Sequence, residues 1–371
     1  MLAGKLEQPA RVLVRERERL LAVHVLPGCE RRGSDLEVRL RHRQVDDRVD
    51  RVVGEHRGEV RVRTAAELRH ADLAAVLADD SVDTVVNLTV PQAHFEVASA
   101  ALAAGKHVHS EKPLALRHED AVRLVQLADE HEVRLSSAPS TLLGEAQQTL
   151  WKRVRQGAVG TVRAVYAEAN WDRIESWHPD PRSLYAVGPL VDVGIYPLTI
   201  LTAIFGPVRL VWAFATTLQT NRVLLDGTSF TPSAPDFVVA VLEHEAGVVT
   251  RLTASFYVGP CKQSGIEVHG DEGSLYMSTW QEANSRLEHK QRGGEYGVIP
   301  PVREPFPGND WGRALVDLAR AIDEGRPHRA GAEQAAHVVE VLNAVEESAG
   351  TAGEVAVHSE FPPPEPMDWA R

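Results

Sequence analysis

The run VDTVVNLTVPQAHFEVASAALAAGKHVHSEKP, from Val82 to Pro113, constrains the fold of this chain more than any other stretch. Apolar residues crowd Val82–Val90, as in a strand buried on both faces, and Pro91 ends it. AHFEVASAALAAG reads as a helix stopped by Gly105, and KHVHS as a second short strand. Strand, helix and strand in about 30 residues make a βαβ unit, which implies parallel strands and a right-handed crossover. The alternation extends to both sides. TAAELRHADLAAVLADD places Leu68, Leu73, Val76 and Leu77 at helical spacing, LRHEDAVRLVQLADEHE is amphipathic, and VRLSSA supplies a further strand. In such a sheet ligands bind beyond the carboxyl ends of the strands, so Thr89 and Lys112 fall on the ligand edge.

Past Leu142 the pattern changes. LLGEAQQTLWKRVRQGAVG reads as a helix with a glycine turn, TVRAVYAEANW as a long strand, and PLTILTAIFG as a buried helix. Long strands with tight turns follow, in VRLVWAFATTL, DFVVAVLEHEAGVVTRLTASFYV and GIEVHGDEGSLYMS. The expected fold class is α/β: a Rossmann-like parallel sheet domain with an atypical N-terminal part, then an α+β domain with an open, mostly antiparallel sheet. The expected bounds are residues 1–125, residues 126–350, and a loosely held proline-rich tail, residues 351–371.

Composition excludes some classes. The net charge of −12 argues against a duplex nucleic-acid binder, which needs a basic face. No unbroken run of about 18 apolar residues is present, so no membrane partner is expected. MLAGKLEQPARVLVRERERL lacks the apolar core of a secretory signal. Cys29 and Cys261 alone make neither a disulfide framework nor a zinc cluster, which suits the cytoplasm. His107 and His109 share a strand face, but no third ligand stands near them, so no metal is expected.

The T-x-P-x-x-H run at Thr89, Pro91 and His94 and the G-K-H-V-x-x-E-K-P run at Gly105–Pro113 resemble the glucose-fructose oxidoreductase/inositol dehydrogenase/MocA family of nicotinamide-dependent oxidoreductases. So does a later aspartate motif, and the resemblance covers roughly residues 64–350. It implies NAD or NADP as cofactor, with Thr89, Pro91, His94, Glu111, Lys112 and Pro113 on the cofactor side. It implies that Lys112 hydrogen-bonds the reacting oxygen and stabilises its developing negative charge. In GPLVDVGIYPLTILTAIFG, Asp192 and Tyr196 stand in the second catalytic motif, with Tyr196 where many relatives carry histidine. Four residues apart, they share a face if helical, and Pro197 is tolerated only in a first turn. The loop NWDRIESWHPDPRSLY is expected to bring Trp177, His178 and Tyr185 to a sugar or polyol. A homodimer or homotetramer built on the open sheet is also implied. A glycosidase using NAD transiently, or a non-catalytic sugar- or nucleotide-binding relative, are the alternatives.

One departure stands out. The family's first strand runs into Gly-x-Gly-x-x-Gly, whose amides hold a pyrophosphate. This chain has no such run, and GCERRG at 28–33 has neither its spacing nor its small residues. Residues 1–70 carry 15 Arg and 1 Lys against 12 acidic residues, with no Phe, Tyr, Trp, Ile or Asn. That composition is what a GC-rich gene gives out of frame, so residues 1 to about 60 are expected not to be the ancestral nucleotide segment.

Overall fold

The computed structural model describes residues 73–371, together with the backbone of three earlier strands, β1 (Ala10–Glu16), β2 (Arg19–Val25) and β3 (Arg61–Thr64). Two compact units are present, one of Gln8–Ser140 with Trp311–Val339, the other of Thr141–Asp310 with Glu340–Arg371.

In the first unit, α1 (Leu73–Leu77), β4 (Val82–Leu88), α2 (His94–Ala103), β5 (His107–Ser110), α3 (His118–Glu130) and β6 (Leu135–Ser137) follow the expected order. The strands β4, β5 and β6 are parallel neighbours. Gly105 ends α2 at φ +72°, its N–H on the Leu102 carbonyl and that of Lys106 on the Ala101 carbonyl. A side chain there would be strained, so glycine is the stop that the sequence required. Val85 and Val108 from the strands meet Val97, Leu102 and Leu124 from the helices in one buried cluster. Each such side chain contributes about 1.5–3 kcal/mol by leaving water.

The sheet order is β3-β2-β1-β4-β5-β6, and the atypical part of it is β1. This strand runs antiparallel to β4, with Arg11 opposite Leu88 and Glu16 opposite Val82, and passes into β2 after Arg17 and Glu18 alone. Its carboxyl end therefore lies at the amino edge of β4, not at the edge of Thr89 and Lys112. GCERRG lies outside the described residues.

The chain returns to this unit late. Beyond the helix Arg313–Glu324, residues 326–331 close the free edge of β6. Ser137 N–H donates to the Ala330 carbonyl at 3.2 Å, a bridge joins Ser136 to Gly331, and His328 Nε2 donates to the Leu135 carbonyl at 2.9 Å.

The second unit contains α4 (Glu145–Arg155), β7 (Val162–Asn170), α5 (Arg182–Pro189) and α6 (Ile195–Phe205). Then come β8 (Val208–Thr216), β9 (Arg222–Val223), β10 (Ser229–Phe230), β11 (Phe237–His244), β12 (Val249–Ser255), β13 (Gly265–Gly270), β14 (Gly273–Met277), β15 (Leu287–Gln291), β16 (Gly297–Ile299) and β17 (Val355–Ala356). The large sheet has the order β16-β15-β14-β13-β7-β12-β11-β8-β17, antiparallel except for β7 with β12. The helical run from Arg182 to Phe205 is long and apolar enough to cross a membrane, although the sequence shows no unbroken apolar stretch of that length. It is mostly buried inside the protein and serves as a core helix.

The tail is not loosely held. β17 pairs with β8, and Glu340 accepts from the His358 and Ser359 amides. Met367 N–H donates to Gln148 Oε1 at 2.8 Å, Ala370 is fully buried, and Arg303 lies over the Trp369 ring at 4.0 Å. Residues 357–367 lie outside helix and sheet, yet the His358, Ser359 and Met367 amides still find side-chain partners.

Candidate active site

The first unit gathers the cofactor-side residues at the carboxyl edge of β4 and β5. The parallel ladder ends with Asn87 opposite Ser110, and Glu111 N–H donates to the Asn87 carbonyl at 2.7 Å. Asn87, a buried polar residue inside an apolar strand, organises the next turn. Its Oδ1 accepts from Thr89 N–H at 3.2 Å and from Thr89 Oγ1 at 2.7 Å, and its Nδ2 donates to the His94 carbonyl at 3.0 Å. The Asn in VVNLTV was the sequence signal for it, because an unpaired amide would be costly there.

Pro91 opens a short 3-10 turn that delivers His94 to the start of α2. His94 is 1% exposed, and both ring nitrogens face backbone carbonyls: Nδ1 lies 2.6 Å from Pro113 O, and Nε2 lies 2.8 Å from Thr89 O. Burial pushes its imidazole below the ordinary value. The carbonyls of Pro113 and Thr89 and the charge of Glu111 pull the other way, and Lys112 pushes down again. Glu111 turns back to accept the Lys112 N–H through Oε2 at 3.1 Å. The Lys112-Pro113 peptide is cis. Pro91, Glu111 and Lys112 are half-buried, whereas Thr89, His94 and Pro113 are buried. Pro91, Glu111 and Lys112 thus keep accessible surface at this edge, and Thr89, His94 and Pro113 are packed into it.

In the second unit the motif GPLVDVGIYP forms a π-turn, Leu190–Gly194, that runs into α6. Pro197 sits in the first turn of α6, as required. From Gly188 to Ala203 every residue is buried except Asp192, Tyr196 and Thr199. These three are spaced four and three apart and form one half-buried polar stripe on an apolar helix. The Tyr196 ring stacks on Trp280 at 4.9 Å, and Trp280 Nε1 donates to the Glu168 carbonyl at 3.0 Å. The Tyr196 ring is therefore fixed from behind.

The upstream loop divides. Trp177 and His178 are half-buried and edge-on at 5.7 Å, with His178 Nδ1 accepting from Asp180 N–H. Tyr185 instead points inward. It is 1% exposed, its hydroxyl bonds Glu175, and it receives Arg222 Nη1 at 2.7 Å. Burial and the Glu175 contact push the phenol well above its ordinary value, against the pull of Arg222. Arg222 also reaches Glu175 Oε1 at 2.7 Å and Asp236 Oδ2 at 2.5 Å, and Asp236 accepts the Leu218 amide. Tyr185 thus braces the loop carrying Trp177 and His178 and offers no exposed edge to a sugar. Sequence reasoning missed Arg222, Glu175 and Asp236, because nothing local marks NRVLLDG as the site of a buried charge.

One unit is Rossmann-type with a half-buried lysine past β5, and the other carries a polar Asp/Tyr stripe, the features of a nicotinamide-type oxidoreductase. The chain belongs to the GFO/IDH/MocA oxidoreductase family. Residues 28–138 match the model described as "Oxidoreductase family, NAD-binding Rossmann fold", and residues 147–276 match the GFO/IDH/MocA C-terminal domain. The first match begins at Gly28, so it reaches back into the segment expected to lie outside the family. The D-xylose 1-dehydrogenase (NADP(+)) 2 of Haloferax volcanii is 25% identical over 285 residues, 76% of this chain and 82% of that protein. The 1,5-anhydro-D-fructose reductase of Ensifer adhaerens is 26% identical over 205 residues, 54% of this chain and 58% of that protein. Among solved structures, levoglucosan dehydrogenase in complex with NADH and levoglucosan has a TM-score of 0.68 at 21% identity, covering 80% of this chain and 89% of that one.

The cofactor of this family is NAD in its Rossmann domain. The described residues fit the nicotinamide end, where Pro91, Glu111 and Lys112 sit on a braced backbone at the carboxyl edge of β4 and β5. They do not fit the pyrophosphate end in the usual way. No glycine run follows β1, and β1 ends at the opposite edge of the sheet.

Proposed function

We propose that this protein is an NAD(P)-dependent oxidoreductase that moves hydride between nicotinamide and a CH–OH carbon of a sugar, polyol or related ketone. The observation that carries this reading is the position of Lys112, half-buried at the end of β5 on a backbone held by Glu111, Asn87 and His94. The bound nicotinamide supplies the hydride acceptor or donor. Lys112 Nζ donates a hydrogen bond to the reacting oxygen and stabilises the alkoxide character that develops there. Asp192 orients the substrate hydroxyls, and Tyr196 relays the proton, its ring fixed by Trp280. Trp177 and His178 bind the polyol. Sugar-acting relatives support the substrate class.

The exposed face of the large sheet is apolar and aromatic, with Tyr166, Trp212, Phe214 and Val241 all exposed. Such a face supports a homodimer, with a homotetramer as its doubling. The scarcity of cysteine supports a cytoplasmic location.

The missing glycine run favours a second reading, a sugar- or nucleotide-binding relative without turnover. Nicotinamide fluorescence on titration with NADH and NADPH, and reduction of NAD(P)+ with a panel of aldoses and polyols, separate the two. The enzyme reading expects turnover that falls by about 10²–10⁴-fold in Lys112→Ala. Unchanged rates in that variant would remove Lys112 from the chemistry, and wild-type protein that binds but never turns over would favour the second reading.

A further inference from the structure

The two segments that carry the ligand-edge residues leave the sheet separately, one after β4 and the other after β5. Their last shared ladder contact is Glu111 N–H on the Asn87 carbonyl. Beyond it no strand pairing holds Thr89 against Lys112 and Pro113. One side chain spans the gap. His94 places Nε2 2.8 Å from Thr89 O and Nδ1 2.6 Å from Pro113 O, while its own carbonyl is fixed by Asn87 Nδ2 at 3.0 Å.

We infer that His94 is a positioning residue for Lys112, a buried staple between the Thr89 and Lys112-Pro113 loops, and does not contact cofactor or substrate. At 1% exposure, with both nitrogens facing carbonyls, it has no ring atom to offer a ligand. A carbonyl accepts only, and a neutral imidazole has one N–H. Burial disfavours the protonated ring, so one nitrogen donates to its carbonyl while the other packs against the second. The charged groups acting on the ring are Glu111, which favours its protonated form, and Lys112, which opposes it.

This inference rests on the catalytic reading of Lys112 only for its effect on turnover. Its structural part is tested without activity. Competitive acetylation with acetic anhydride, read by peptide mass spectrometry, gives the relative reactivity of each lysine. In His94→Leu, which keeps bulk and removes both nitrogens, Lys112 is expected to label severalfold faster. Lys106, buried in the same unit through the Asp79 and Val82 carbonyls, is expected to keep its rate. His94→Gln, whose amide carries two N–H groups, is expected to return Lys112 towards wild type. In turnover, His94→Leu should lower kcat by about 10²-fold with a much smaller change in KM, because a loosened loop misplaces Nζ by a fraction of an ångström to an ångström. In a Lys112→Ala background the same substitution should add little further loss. Should His94→Leu fail to fold by circular dichroism, His94→Asn takes its place, since its shorter amide cannot reach both carbonyls. Unchanged Lys112 labelling in the folded variant overturns the inference, as does Lys106 rising together with Lys112, which would mean general loosening. If Lys112→Ala itself keeps full turnover, the catalytic reading fails, while the labelling result still decides whether His94 holds the loop.

Discussion

Arg222 is the residue whose removal should be felt most in the second unit. Its guanidinium is fully buried, with Glu175 and Asp236 as ion-pair partners and Tyr185 as a third. With Tyr185 un-ionised, the group carries one positive and two negative charges. Replacing Arg222 with Met keeps the length of the stem and strands both carboxylates. Breaking a buried pair by removing one partner costs about 3–5 kcal/mol, against about 0–1 kcal/mol for an exposed pair. For a unit of this size that corresponds to a fall in Tm of roughly 10 °C. Urea unfolding followed by tryptophan fluorescence measures it directly. Adding Glu175→Gln and Asp236→Asn to Arg222→Met should recover most of the loss. A cost for Arg222→Met below about 1 kcal/mol at neutral pH, comparable to an exposed pair, would refute the reasoning.

Acid should act on the first unit through His109. It is buried with Nδ1 3.0 Å from Ser136 Oγ, and burial, helped by His328, lowers its pKa to about 4. The folded protein then binds fewer protons than the unfolded chain between about pH 6.5 and 4, so up to about 3 kcal/mol of stability is lost as pH falls through that window. His109→Gln should flatten the urea-derived stability curve there, and an equal slope in both proteins would dismiss the assignment. Gly188 has φ +77°, and a Cβ would meet Pro235 O at 3.0 Å and Ala234 Cβ at 3.2 Å, whereas Gly206 at φ +83° faces open space. Both alanine substitutions are strained, but Gly188→Ala should cost about 1–2 kcal/mol more, and equal losses in chemical denaturation would show that the neighbours give way.

Much of the fold could be read from periodicity. The two-face apolar run of β4, the helical spacing in α2 and α3 and the glycine stops at Gly105 and Gly206 are local signals, and each marks a real element. The candidate site could be picked out where its residues are neighbours along the chain, as in Glu111–Pro113 and Asp192–Tyr196. It was not legible where the decisive contact is distant. Tyr185 reads as a pocket residue until Arg222 and Asp236, far along the chain, turn it inward. His94 reads as a cofactor ligand by its motif, and only the carbonyls of Thr89 and Pro113 show it committed elsewhere. The tail reads as loose because proline gives no period, and its partners Glu340 and Gln148 lie on other elements. The antiparallel course of β1 has no local signature, since a strand's direction belongs to the pairing and not to the residue pattern.

The late return of the chain to the first unit sets an order of manufacture. Residues 326–331 cover the edge of β6, and Ala332, Ala336 and Val339 complete the cluster around Val85 and Leu124. All of these are synthesised after the whole of Thr141–Asp310. At ribosomal rates that interval is about ten to thirty seconds. During it the first unit stands begun but unfinished, with an open strand edge and an incomplete core. The unit that holds the candidate catalytic lysine is thus begun first along the chain and completed only by residues made after the other unit.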